Sequence, residues 1–260
     1  MHRQSIARTF LGLAWFSMTT CSVHVARAET LVQRNVDSRV TLMFRVSPSA
    51  VQAWLPAPWQ LEPIAKGPST DANLSVTFID RLVAEDEQGK VSGHGIDRMV
   101  GLTVPAKNPN TGEVAPMVIR LYTSSPDYVP GPYKNSVLVK VSRETATKGS
   151  ELEAGTGMEK WKVEDSDGGV LSFHVQYQRN LPTRGKSEVR PHSAVDPSFY
   201  RIYRYDEGSD VVKSTSNGID RAWDYEFRST IQELRAIFDG SEQLKSITIR
   251  PWYVREVFLP

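Results

Sequence analysis

Cysteine is almost missing from this chain of 260 residues: there is one, Cys21, near the N-terminus. Without a second thiol the chain can form no internal disulfide, and it offers no cluster of cysteines for a metal. Histidine is scarce too. After residue 28 the histidines are His94, His174 and His192, none at metal-ligand spacing and none in an H-E-x-x-H pattern. There is no G-x-S-x-G elbow, no P-loop and no dinucleotide fingerprint. No metal, nucleotide or other cofactor is implied. Charge is nearly balanced, 31 Lys and Arg against 30 Asp and Glu, which excludes the basic footprint of a nucleic-acid binder. No segment reaches the ~18 uninterrupted apolar residues of a membrane span. No Ser/Gly-rich linker, single-charge run or fixed-period repeat divides the chain.

The N-terminus is of another kind. His2, Arg3 and Arg8 form a basic start, Thr9 to Val25 is mostly apolar, and Ala26-Arg27-Ala28 has the small-x-small form of a cleavage site. Residues 1–28 therefore read as a secretory signal peptide. The competing reading is a lipoprotein signal cut before Cys21, which Met18-Thr19-Thr20 fits poorly. Cleavage after Ala28 leaves 260 − 28 = 232 residues. It removes three arginines and no acid, so 31 − 3 = 28 bases face 30 acids. The expectation is a periplasmic or secreted protein whose residues 29–260 form one domain, a length that buries a core without disulfides.

Alternation of apolar and polar residues dominates the rest, the pattern of half-buried strands. Val40, Leu42, Phe44 and Val46 show it first; Leu74, Val76 and Phe78 repeat it, as do Leu171, Phe173, Val175 and Tyr177. Further strands are expected over 99–104, 114–122, 137–145, 160–164, 199–205, 211–214 and 219–228, with a strand-like end from Ile247 to Pro260. Two helices interrupt them. One covers Ser49–Leu55, after Pro48 and before Pro56. The other covers Thr230–Phe238, with Ser229 as N-cap, Gln232 three residues on and Gly240 as terminator. About a dozen short strands without a βαβ rhythm predict a mainly β fold of antiparallel sheets curled on themselves.

The stretch Leu121 to Glu144 stands out. Pro126, Pro130 and Pro132 stiffen a loop between two strands, Gly131 permits a turn, and Tyr133 and Lys134 follow. A lysine with its stem on an apolar wall and its amine in a dry cavity has a lowered pKa and becomes a nucleophile. The same residue also reads as a rim lysine in solvent. Lys140, flanked by Val139 and Val141, is the rival inward lysine. His94 lies in a turn between Gly93 and Gly95, open to a functional role.

Several segments in shared order resemble the acetoacetate decarboxylase-like superfamily over nearly all of residues 29–260. Arg39 on a strand leads to a short helix and Leu55-Pro56-Ala57-Pro58-Trp59-Gln60-Leu61-Glu62; Arg120-Leu121-Tyr122 leads to Gly131-Pro132-Tyr133-Lys134 and the strand from Ser136 to Arg143. The resemblance implies a cone-like closed β-barrel with a central cavity and a few short helices. It also implies a lysine that forms a Schiff base with a small carbonyl compound, its amine kept neutral by an apolar pocket and a neighbouring cation. In those terms Lys134 or Lys140 is the nucleophile and Asp97 moves the proton. Arg39 or Arg98 holds a carboxylate, Arg120 supplies a second cation, and Tyr133 and His94 line the site. The family's paired lysines are not reproduced, since Tyr133 and Asn135 flank Lys134. Three functions stay open: a lysine-dependent carbon–carbon or carbon–oxygen lyase acting on a keto acid or other small carbonyl compound, a non-catalytic periplasmic carrier of a small apolar or anionic molecule such as a carbonyl or carboxylate ligand, and a filled barrel serving as a structural or interaction module. The oligomeric state is open, a homo-oligomer included.

Overall fold

A computed structural model describes residues 28–93, 97–149 and 155–260. The expected signal peptide and His94 lie outside them, except for Ala28. The strands are, in chain order, β1 (Thr30–Arg45), β2 (Gln60–Leu61), β3 (Leu74–Glu85), β4 (Asp97–Lys107), β5 (Val114–Thr123), β6 (Ser136–Leu138), β7 (Lys140–Lys148) and β8 (Thr156–Glu164), followed by β9 (Val170–Gln178), β10 (Thr183–Val189), β11 (His192–Ser193), β12 (Ile202–Ser214), β13 (Ile219–Asp220), β14 (Ala222–Ser229) and β15 (Gln243–Leu259). A large sheet runs β10-β12-β15-β1-β3-β4-β5-β11, with β2, β6 and β13 attached; a small one runs β14-β9-β8-β7.

The period-2 alternation sorts the large sheet's residues onto two faces. Val40, Leu42 and Phe44 of β1, Leu74, Val76 and Phe78 of β3 and Val100, Leu102 and Val104 of β4 are all buried in one core. They share it with Trp161 and Val163 of β8 and Leu171, Phe173 and Val175 of β9 in the small sheet. Phe78 sits at the centre, 5.4 Å from the Trp161 ring and 5.5 Å from that of Phe173. The opposite face of the same strands is free to line a cavity.

The large sheet is not the closed, purely antiparallel barrel that the resemblance implies. Its end strands are β10 and β11, which do not pair with each other. They are joined through Arg190-Pro191, and Val189 and His192, three residues apart, lie within about 11 Å of one another. The sheet therefore curls until its edges almost meet. Proline at the seam has no N–H to carry a ladder across. Register shifts in β1, between Asp37 and Arg39 against β15 and between Val36 and Asp37 against β3, mark where the sheet bends. Two short pairings, β5 with β6 and β5 with β11, are parallel.

The first helix is α1 (Pro48–Gln52), shorter than the sequence predicts, followed by a turn to Pro56. The second does not form. Ser229 ends β14, and residues 232–234 make a single 3-10 turn. The apolar spacing explains it: Ile231, Leu234 and Ile237 recur every three residues, the repeat of a 3-10 turn, and all are buried. Leu234 N donates to Ile231 O at 3.0 Å and Ile237 N to Leu234 O at 2.9 Å.

Candidate functional site

The cavity-side face carries Thr77, Ile79 and Arg81 from β3 and Met99, Gly101 and Thr103 from β4. β15 adds Tyr253 and Arg255, β1 adds Arg39, and β5 adds Val118, Leu121 and Thr123. The facing wall comes from Pro132, Tyr133 and Ser136 after β5 and from Pro191, Arg201 and Tyr203 beyond the seam. Together they enclose about 420 Å3, the size of a small-molecule site. Strand register polarises it. Asp37 pairs with Arg81 and Arg39 with Ile79 at one end, whereas Gly101 pairs with Leu121 and Thr103 with Val118 toward the other.

The charged end is built around Asp37, which is fully buried. Arg39 Nη2 donates to Asp37 Oδ2 at 2.5 Å. Arg81 Nε lies 3.7 Å from Oδ1 and Arg255 Nη2 4.0 Å from Oδ2. Burial alone would push the Asp37 carboxyl up; Arg39, Arg255 and Arg81 outweigh it and hold it below its usual value. Each guanidinium also lies over a tyrosine ring, Arg39 over Tyr253 at 3.5 Å, Arg255 over Tyr203 at 4.3 Å and Arg81 over Tyr128 at 4.8 Å. The negative ring faces favour the cations. Burial works against the charge of Arg255, and Tyr203, Asp37 and Tyr253 restore it, so its pKa is raised. Burial, then the neighbouring Tyr203, lifts Tyr133 well above the ordinary phenol value, and the two hydroxyls meet at 2.6 Å.

One carboxylate does not satisfy these cations. Arg81 Nε and Nη1, Arg39 Nε, Arg201 Nε and Arg255 Nε are buried and donate to no atom among the described residues. Arg81 and Arg255 are each only 7% exposed. A buried donor left unpaired costs about 1–3 kcal/mol, and more when charged. An anion with oxygen acceptors would remove that cost, since guanidinium matches a carboxylate in two-point geometry.

Of the candidate site residues read from the sequence, Arg39 and Tyr133 line this cavity. His94 is outside the described residues, and the remaining candidates lie elsewhere. Lys134 points outward, its amine 2.9 Å from Asp196 Oδ2 and its side chain 59% exposed. The loop forces this division: Tyr133 turns inward to Tyr203, and Lys134 follows in the left-handed conformation at φ 58°. Lys140 is exposed at the start of β7. The expected strand 137–145 is two strands, because the chain leaves the large sheet at Val139 and enters the small one. Arg98 binds Asp80 at 3.1 Å on the other side of β4. Arg120 binds Glu233 and the Asn135 carbonyl on the other side of β5. Asp97 is buried beside Gly93, where an added Cβ would lie 2.8 Å from its Oδ2, and does not line the cavity. Among the described residues no lysine lines it.

Arg81, Arg201, Arg255, Tyr203 and Tyr253 are site residues that the sequence reading misses. A signal exists for three of them. Arg81 continues the Thr77, Ile79 face of a strand whose other face is Leu74, Val76 and Phe78, and Tyr253 and Arg255 share one face of the last strand. A cation repeating on the less apolar side of a strand reads as a solvated residue unless a second wall covers it.

No protein-family model matches the sequence, and no curated protein does. Solved structures match in fold. One is the enduracididine biosynthesis enzyme MppR complexed with pyruvate, at a TM-score of 0.53 and 12% identity, covering 95% of this chain and 96% of that one. The same enzyme complexed with the condensation product of pyruvate and imidazole 4-carboxaldehyde matches at 0.53 and 12%, over 88% and 87%. An acetoacetate decarboxylase matches at 0.50 and 9%, also over 88% and 87%. The chain therefore shares the fold of these enzymes.

Proposed function

We propose that this protein binds a small carboxylate-bearing molecule in the arginine-lined cavity and does so without forming a Schiff base. The observation that carries the reading is the group of buried guanidinium nitrogens of Arg81 and Arg255 that lack an acceptor. A Schiff-base mechanism needs an uncharged amine against the ligand carbonyl. Lys134 would have to leave Asp196 and reverse its direction to supply one, and Lys140 stands on another sheet. The pyruvate in the structure of MppR belongs to that enzyme; for this chain it motivates small keto acids as the first ligands to try. We place the protein's work in the periplasm or outside the cell, after removal of residues 1–28.

Three measurements test this. Pyruvate and related acids should raise the melting temperature, with saturation. Borohydride added with the same acids should leave the protein mass unchanged. A trapped adduct mapped to Lys134 or Lys140 would restore the lyase reading, and the absence of any stabilisation by carboxylates would remove the carrier. N-terminal sequencing of the exported protein should begin at Glu29.

A further inference from the structure

The cavity has a second cationic pole. Arg201 lines it together with the Asp37 cluster, yet Arg201 forms no ion pair among the described residues, and its Nε is buried without an acceptor. Its backbone N–H is fixed on the Pro191 carbonyl, at the seam. The two poles are anchored at different points of the chain. In the register of β12 with β15, Arg255 pairs with Tyr205, and Arg201, just before β12, precedes Tyr205 by four residues, about 13 Å of extended backbone. Between them stands the Tyr133–Tyr203 hydroxyl pair, and Tyr133 feels the positive charge of both Arg201 and Arg255. Apolar wall from Val118 and Leu121 completes the lining.

Charge decides what such a space accepts. Within this group Arg39, Arg81, Arg255 and Arg201 supply four positive charges and Asp37 one negative, an excess of three. A monoanion paired with Arg81 and Arg255 leaves the half-buried Arg201 without a counter-charge and its buried Nε without an acceptor. A molecule with an anionic group at each end and a short apolar middle reaches both poles.

We infer that the ligand of this cavity is a small dicarboxylate, one carboxylate held by Arg81 and Arg255 and the other by Arg201. The inference rests on the carboxylate-binding reading and narrows it to a charge class and a length. Tyr133, kept protonated by its surroundings, donates a hydrogen bond toward whichever carboxylate lies beside it.

Calorimetric titration of the purified chain with glutarate and with pentanoate, equal in carbon number and different by one charge, tests it. Glutarate is expected to bind at least about tenfold tighter. Arg201→Gln should bring the two affinities together, and Arg201→Lys, which keeps the charge, should restore most of the preference. Equal affinities in the wild-type chain would overturn the dicarboxylate while leaving carboxylate binding in place. Binding of neither acid would overturn both. An undiminished preference in Arg201→Gln would overturn the role of Arg201. If that variant does not fold, the wild-type ratio decides the ligand class, and a preference lost in Arg201→Lys would overturn a role for charge alone at that position.

Discussion

Asp37→Asn is the substitution with the largest effect to be expected near the cavity. It keeps the shape of the side chain and removes the charge that three guanidiniums share. Asp37 is fully buried, and Arg39, Arg81 and Arg255 lie 2.5, 3.7 and 4.0 Å away. Removing one partner of a buried ion group costs about 3–5 kcal/mol, because the remaining charges stay buried and uncompensated. For a domain of this size that corresponds to a fall of roughly 6–20 °C in melting temperature. The pH dependence carries a second signature. The folded pKa of Asp37 lies below its unfolded value, so its stabilisation is complete above about pH 4 and is lost as pH falls through the folded value. The variant lacks that acid-side loss. It should also gain more from carboxylates than the wild type does, since an anion then supplies the only negative charge among the three arginines; the gain follows RT ln(1 + [L]/Kd). Thermal melts from pH 3 to 7, with and without glutarate, read all three effects. A melting temperature within ~2 °C of wild type at pH 7 would refute the idea that Asp37 neutralises the cluster.

Lys134→Gly should leave both melting temperature, within ~2 °C, and ligand affinity unchanged, because the lysine is exposed, its ion pair is exposed, and glycine suits φ 58°; a lost affinity would return Lys134 to the site. Gly157→Ala should destabilise by about 1–3 kcal/mol, since a Cβ there would overlap Cζ of Tyr177, and that buried ring would have to move; a melt that matches wild type would show the ring is free to yield. Met99→Lys places an amine on the cavity wall beside Arg81, whose Nη2 lies 3.8 Å from Met99 Sδ. Desolvation and the neighbouring cation both favour the neutral amine, so borohydride should trap pyruvate on this variant and not on wild type; no adduct would mean the wall does not supply those conditions.

The core is legible from periodicity. Val40, Leu42 and Phe44, then Leu74, Val76 and Phe78, then Leu171, Phe173 and Val175 follow from alternation, and each set is buried. What alternation does not carry is which sheet a strand belongs to. Residues 137–145 and 219–228 each read as one strand and prove to be two, because the chain changes sheets at Val139 and at Arg221. A strand that bends from one sheet into another keeps its period, so the break leaves no mark in the pattern. That change of sheet is what carries Lys140 away from the cavity. A register shift inside β14, between Trp223 and Glu226, puts Trp223 and Tyr225 in solvent, at 44% and 39% exposure, although alternation with Phe227 suggests a shared inward face.

The same reasoning accounts for the site. The loop at 126–136 is stiff, and stiffness does position a side chain at the cavity, but the side chain is Tyr133. A turn delivers neighbouring residues to opposite sides, so a motif that ends in Tyr-Lys fixes which pair of directions is used and not which residue takes which. Tyr133 wins the interior because its ring is apolar and its hydroxyl finds Tyr203, whereas the Lys134 ammonium would enter a space already holding Arg39, Arg81, Arg201 and Arg255. Like charges at that distance favour a neutral amine or an expelled one. The ion pair with Asp196 at 2.9 Å makes expulsion the better outcome. The cationic surroundings that a Schiff-base lysine uses are therefore present in this cavity with no lysine among its described lining residues, and the proposed anion is the ligand that such surroundings favour on their own.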